Sequence, residues 1–200
     1  MKTLLLFVFL IQLNFSFGQD KFDVSAIEKF QIELNAAYAD AKTSPLTAED
    51  RAHFKTLDFY PANKTFFVIA TLVKTENEQP FKMKTSTSRL PKFIKYGEIH
   101  FEIDNKKLKL NVYQSFGADG AIDGKDDLFL PFSDLTSGKE SYIGGKYIDL
   151  KIPTGNTIAI DFNTAYNPYC AYNSQYSCPK VPLENDLDIA IEAGVKKFHD

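Results

Sequence analysis

Tryptophan is absent from this chain, and arginine, methionine and cysteine each occur twice. The scarcity of arginine excludes a phosphate or carboxylate clamp built from several guanidinium forks, the usual device for bidentate anion recognition. Basic charge rests almost wholly on lysine, and the net charge is −3. An acidic chain is poorly suited to nucleic acid, whose binding relies on neutralising phosphates, or to anionic lipid. Histidine is scarce too: His53, His100 and His199 are scattered, none stands near the cysteines, and no Gly-x-Ser-x-Gly elbow is present. No metal site and no cofactor site is expected. The acidic turn Asp119–Asp127 has the look of a calcium loop, but Ala121 and Leu130 occupy positions where such a loop needs oxygen ligands.

Long apolar runs are also missing, apart from one at the start. Lys2 is followed by an apolar stretch over Leu4–Leu13, then by small residues Ser16 and Gly18. That is the pattern of a secretory signal over residues 1–18, too short for a membrane span. It predicts an exported protein, periplasmic or extracellular, with no membrane span after removal of the signal. Residues 19–200 are then enough for a single domain with a real core.

The mature region divides in two. Ile27, Phe30, Leu34, Ala37, Tyr38 and Ala41 recur at helical spacing between Asp23 and Thr43. Ser25 and Glu28 have the form of a capping box, and Ser44-Pro45 ends the pattern. Thr47 is placed to cap a second, short helix over 48–55. From Thr65 onward the texture is that of strands: 65–74, 81–86, 97–104, 107–116, 128–132, 146–152, 157–162 and 187–191. Hairpins are expected at Asn105-Lys106 and across Pro153–Asn156. The fold class is therefore mainly β (α+β): an antiparallel sandwich or partly open barrel of about seven to eight strands, with one or two N-terminal helices.

Both cysteines, four tyrosines and three prolines fall in one segment, DFNTAYNPYCAYNSQYSCPKVPLEN, from Asp161 to Asn185. Neither helical nor strand periodicity explains it, so it reads as a long shaped loop of the functional kind. In an oxidising compartment Cys170 and Cys178 would pair, worth roughly 2.5 kcal/mol through chain entropy. Asp161 with Asn163, and Glu184 with Asn185, flank the loop. If the flanking strands were neighbours, these groups would meet at one sheet edge. Asp161 and Glu184 could then act as acid and base. Tyr166, Tyr169, Tyr172 and Tyr176 could wall a cleft whose polar groups orient a ligand. Equally, the Asp and Asn side chains could bond only their own loop.

DLTSGKESY (Asp134–Tyr142), GKYI (Gly145–Ile148), DFNTAYNPYCAYN (Asp161–Asn173), SCP (Ser177–Pro179) and Glu184-Asn185 together resemble the signature of the DUF1684 family of bacterial and archaeal proteins. The resemblance implies that the glycine-rich segment and the tyrosine-rich loop belong to one feature. Lys146 stands where the family leads one to expect Arg, so it keeps the charge without the planar fork. The expected ligand is a small polar or carbohydrate-like molecule. It would be met by Tyr142, Tyr147, Tyr166 and Tyr172 as stacking faces, by Asn163, Asn167 and Asn185 as hydrogen-bonding groups, and by Lys146 as a counter-charge. A hydrolase using Asp161 and Glu184, and a module whose loop only braces the sheet, are the alternatives. Nothing in the sequence sets the oligomeric state.

Overall fold

The structure, a computed structural model, describes residues 21–199; the signal sequence expected over 1–18 lies outside them. Helix α1 (Val24–Ala39) opens the described chain. Its cap is Asp23, whose carboxylate accepts from the Ser25 and Ala26 backbone N–H groups. The expected capping box on Ser25 gives way because this acid, two residues earlier, reaches the unpaired N–H groups of the first turn. The helix ends before Thr43, whose hydroxyl donates back to the Ala37 carbonyl. Helix α2 (Ala48–His53) is capped by Thr47 as expected, its hydroxyl accepting from the Asp50 N–H at 3.0 Å.

Seven strands follow: β1 (Phe67–Lys74), β2 (Phe81–Lys82), β3 (Lys92–Ile103), β4 (Lys106–Ser115), β5 (Asp127–Phe132), β6 (Lys146–Lys151) and β7 (Thr157–Asp161). They form one antiparallel sheet in the order β6-β5-β4-β3-β1-β7, with β2 on the start of β3, curled into an open half-barrel. The β3–β4 hairpin turns through Asp104 and Asn105, both at positive φ, the backbone a tight two-residue turn requires. The expected β6–β7 hairpin is not formed. β7 pairs instead with the free edge of β1, Val68 against Ile160 and Ala70 against Ile158. β6 and β7 are thus the two ends of the ladder.

One face of the sheet makes the core. Val68, Ala70 and Leu72 of β1, Ile99, Phe101 and Ile103 of β3, Leu108, Leu110 and Val112 of β4, and Leu128, Leu130 and Phe132 of β5 pack in one cluster. Strand alternation accounts for each set. β3 breaks parity once: Lys95 faces Tyr113 while Gly97 faces Val112, leaving Tyr96 as the extra residue of a bulge. A one-residue shift moves side chains to the other face. Phe93 therefore leaves the core side and joins Met83 and Tyr113 in a second cluster on the opposite face, with Phe129 against it. Glycine is required at the bulge, since a Cβ at Gly97 would lie 2.5 Å from the Val73 carbonyl oxygen.

The strand expected over 187–191 is absent, although its alternation does report burial: Leu187 and Ile191 are inside. This segment makes a brief contact with the chain after β5, through Leu187 N–H to the Ser133 carbonyl and Leu135 N–H to the Ile189 carbonyl. Beyond that, side chains replace a strand partner. The Ile191 N–H donates to the Asp134 carboxylate, and the Ile191 and Ala193 carbonyls accept from the Lys146 ammonium.

Candidate functional site

Strand β6 presents different chemistry on its two faces. Lys146 points into the core and is 0% exposed. Its Nζ donates to Ile191 O at 2.9 Å and Ala193 O at 3.1 Å, and lies 3.3 Å from the Asp134 carboxylate. The other Asp134 oxygen accepts from the Thr136 and Ile191 N–H groups. Burial lowers the Lys146 pKa while the Asp134 charge opposes that shift. Two hydrogen bonds and one ion pair thus engage the ammonium, and the Asp134 oxygen that faces it has the ion pair but no hydrogen bond. The expected role of Lys146 as counter-charge for a ligand is therefore replaced by a structural one.

The three expected ligand amides also bond the backbone, Asn185 and Asn163 through both ends of the amide and Asn167 through its nitrogen alone. Asn185, fully buried, accepts from the Asn111 N–H and donates to the Asn111 and Pro131 carbonyls. It joins β4 to β5 where their direct pairing is limited to Tyr113 with Phe129. Asn163 accepts from the Asn63 N–H, and its amide donates to Asn63 O and to the Asp161 carboxylate. Asn167 is buried and donates to the Lys196 carbonyl. Such amides satisfy backbone groups that would otherwise be costly to bury. Tyr172 is likewise buried, edge-on to Tyr38 of α1 with ring centroids 4.9 Å apart.

Nor does the fold bring Asp161 and Glu184 together. Asp161 ends β7 and caps the turn that follows, accepting from the Asn163 N–H. Glu184 is exposed, in the short 3-10 turn Leu183–Asn185 beside β4. In the sheet β3 and β1 stand between β4 and β7. The meeting at one sheet edge needed a strand at 187–191, and that strand is absent.

The outward face of β6 is different. Tyr147 and Asp149 point into a cleft of about 880 Å³ between this face of β4, β5 and β6, helix α1 and the tyrosine-rich loop. Tyr113 and Tyr147 are buried at its base, while Phe30, Phe129 and Tyr166 are partly exposed and Tyr169 more so. The rings are interlocked: Tyr147 stands edge-on to Phe129 at 4.7 Å and to Tyr166 at 6.0 Å. The Tyr147 hydroxyl donates to the Pro179 carbonyl and the Tyr166 hydroxyl to Asp149 at 2.7 Å. Asp149 keeps solvent contact through the cleft, yet the protein mass around it pushes its carboxyl above the ordinary range, and the Tyr166 hydrogen bond opposes that rise.

A smaller cavity of about 330 Å³ adjoins it, lined by Asp149 and Leu150 of β6, Ala159 and Asp161 of β7, and Phe30 of α1. It occupies the gap between the two ends of the sheet. Burial raises the Asp161 carboxyl as well. Sequence reasoning missed Asp149, although the alternation that places Tyr147 outward places Asp149 beside it.

Cys170 and Cys178, expected to pair in an oxidising compartment, are free thiols in this structure. They are neighbours all the same: the Cys170 N–H donates to the Cys178 sulfur at 3.1 Å. The two thiols shift each other in opposite directions, the Cys170 pKa lowered and the Cys178 pKa raised, each chiefly by its neighbour. The Tyr142 hydroxyl lies 3.8 Å from the Cys170 sulfur, and burial pushes that phenol up to about 12. Cys178 and Pro179 also line the large cleft. Tyr147 and Tyr166 are bridged by backbone hydrogen bonds in both directions. The glycine-rich segment and the loop do belong to one feature.

Among the described residues no group of three His, Cys, Asp or Glu side chains gathers as metal ligands, and no helix is long and apolar enough to cross a membrane. Asp119 accepts from the Ala121 N–H and Asp127 pairs with Lys151. Comparison with known proteins agrees with this architecture. The solution NMR structure of an uncharacterized protein from Haloarcula marismortui is similar, with a TM-score of 0.68 and 30% identity over 86% of this chain and 92% of that one. No curated protein matches the chain. The family described as protein of unknown function DUF1684 matches residues 52–196, which span the whole sheet and the tyrosine-rich loop, and the chain belongs to that family.

Proposed function

We propose that this protein is exported and that the cleft on the outer face of β4–β6 binds a small polar or carbohydrate-like ligand. The observation that carries the reading is the cleft: its size is that of small-molecule pockets, and it combines aromatic walls with few polar groups. Tyr166 and Tyr169 offer ring faces, and Asp149 offers a polar contact. Export into an oxidising compartment would let Cys170 and Cys178 pass two electrons to a dithiol oxidase by thiol–disulfide exchange, fixing the wall that carries Cys178 and Pro179. A thermal-shift screen of sugars, polyols and small ions against the purified protein tests the binding reading, because a ligand of the native state raises apparent stability. A hit whose shift disappears in Tyr166→Ala supports the cleft. Hits indifferent to both Tyr166→Ala and Tyr169→Ala would move the site elsewhere. Thiol counting on material recovered from outside the cytoplasm tests export and pairing together.

A second reading is carboxylate chemistry, favoured by the seam between β6 and β7. Asp149 and Asp161 line the same small cavity, and the pKa of each is raised mainly by burial, the condition a general acid needs. Asp161 keeps its place in this version, with Asp149 standing where Glu184 was expected. Hydrolysis of an activated ester or glycoside that Asp161→Asn leaves intact would remove it.

A further inference from the structure

We propose that the ligand of the large cleft is a small organic cation, an amine or quaternary ammonium, held against aromatic faces with Asp149 as its counter-charge. This rests on the cleft being a binding site and narrows the ligand class. Eight aromatic residues line the cleft: Phe30, Tyr38, Phe93, Tyr113, Phe129, Tyr147, Tyr166 and Tyr169. Its charged lining is one-sided, with Asp123, Asp127 and Asp149 against Lys151 alone. Lys151 is already paired with Asp127. Among the described residues Asp149 then has one hydrogen-bond donor, the neutral Tyr166 hydroxyl, and no ion-pair partner, with Lys151 acting on it only through its longer-range charge. A carboxylate in a cleft with low-dielectric walls concentrates its field on the enclosed space. Its carboxyl is already destabilised as an anion there, so an arriving positive charge gains more from it than in open water.

The rings add to the same preference. Aromatic faces attract a cation through their quadrupole, most strongly where water is excluded. The Tyr166 hydroxyl is committed to Asp149, so ring surface is what this partly exposed residue has left to present. A neutral sugar would use the stacking faces but leave the Asp149 charge uncompensated. An anion would face three carboxylates. The cation alone uses both features of the site.

The test compares choline with its neutral carbon isostere 3,3-dimethyl-1-butanol by isothermal titration of the purified protein at fixed ionic strength. The two differ in charge at nearly constant shape. Choline is expected to bind about tenfold more tightly, within the range of aromatic–cation attraction. Asp149→Asn should erase most of that preference while leaving the isostere unchanged, and Tyr169→Ala, at a more exposed position, should weaken choline as well. Equal binding of the two probes, or choline binding that survives both substitutions, overturns the cation assignment. If monosaccharides titrate and choline does not, the cleft stands as a site and the cation assignment falls. If no probe binds, both fall.

Discussion

Lys146 and Asp149 lie three residues apart on one strand and show what a charge does in two settings. Lys146 faces the core, where its ammonium is engaged by hydrogen bonds to two backbone carbonyls and an ion pair with one carboxylate. Asp149 faces the cleft, where one phenol is its hydrogen-bond partner and solvent still reaches it. A buried charge is tolerable only when paired and hydrogen-bonded. A charge at a cleft wall can remain short of partners, because water serves until something better arrives. Saturation marks the side chain that holds the fold, and incompleteness marks the one free to meet a ligand. Asn185 and Asn163 belong with Lys146, while Tyr166 and Tyr169 belong with Asp149.

The sharpest way to break this contrast is to remove the core charge. Lys146→Met leaves Asp134 buried without its counter-ion and frees the Ile191 and Ala193 carbonyls. A loss of about 3–5 kcal/mol is expected, as for one partner of a buried pair. Urea unfolding reads it, and Asp134→Asn in the same chain should recover part of it because the orphan charge is gone. A Lys146→Met protein as stable as the parent would mean that this face is not saturated after all. Asn185→Ala comes next. It strips partners from the Asn111 N–H and from the Asn111 and Pro131 carbonyls, costing about 2–3 kcal/mol, visible as a lower urea midpoint.

Most of the sheet could be read from the chain because alternation is local. Leu108, Leu110 and Val112 announce an inward face whatever lies beside them. The partners of β7 could not be read: proximity in sequence favours β6, but β1 offers an open edge, and pairing is decided in three dimensions. The strand expected at 187–191 fails for a related reason. Leu187 and Ile191 are buried as their spacing says, yet Lys146 and Asp134 supply the hydrogen bonds that a neighbouring strand would have supplied. The same substitution of side chain for strand hides the site. Asn163, Asn185 and Lys146 are polar residues in a tyrosine-rich setting, and only their burial separates a brace from a ligand group. Tyr147 and Tyr166 were visible as members of one feature, because two separate segments resemble one family signature. Asp149 was not, since a lone acid on a strand carries no local mark.

Smaller effects belong to the cleft. Tyr166→Phe keeps the ring and removes the one hydrogen bond that the described residues give the Asp149 side chain, so about 1 kcal/mol should be lost, measurable by thermal or urea unfolding. With the donor gone, the Asp149 carboxyl should titrate higher still, which carboxyl NMR shifts would report. A drop of several kcal/mol would place Tyr166 with the braces instead.

The smallest effect separates the two settings by its sign. The Asp149 carboxyl titrates above its ordinary value of 3.8 in the folded protein, chiefly through burial. A group raised in this way favours folding below the unfolded pKa, and that contribution is lost as pH rises through the folded pKa. The charges acting on it are Asp127, which pushes the same way, and Lys151, which opposes; the Tyr166 hydrogen bond opposes too. Near neutral pH, Asp149 as a carboxylate therefore weighs against the fold. Asp149→Asn should be slightly more stable than the parent at pH 7, by a margin that solvent screening keeps small because Asp149 is exposed, and the two should converge in acid below the ordinary carboxylate range. Unfolding midpoints across that pH window test it. Removing a charge from the core side should destabilise and removing one from the cleft side should stabilise. A loss of stability at pH 7 in Asp149→Asn would mean that this acid is a brace as well, and the distinction between the two faces of β6 would go with it.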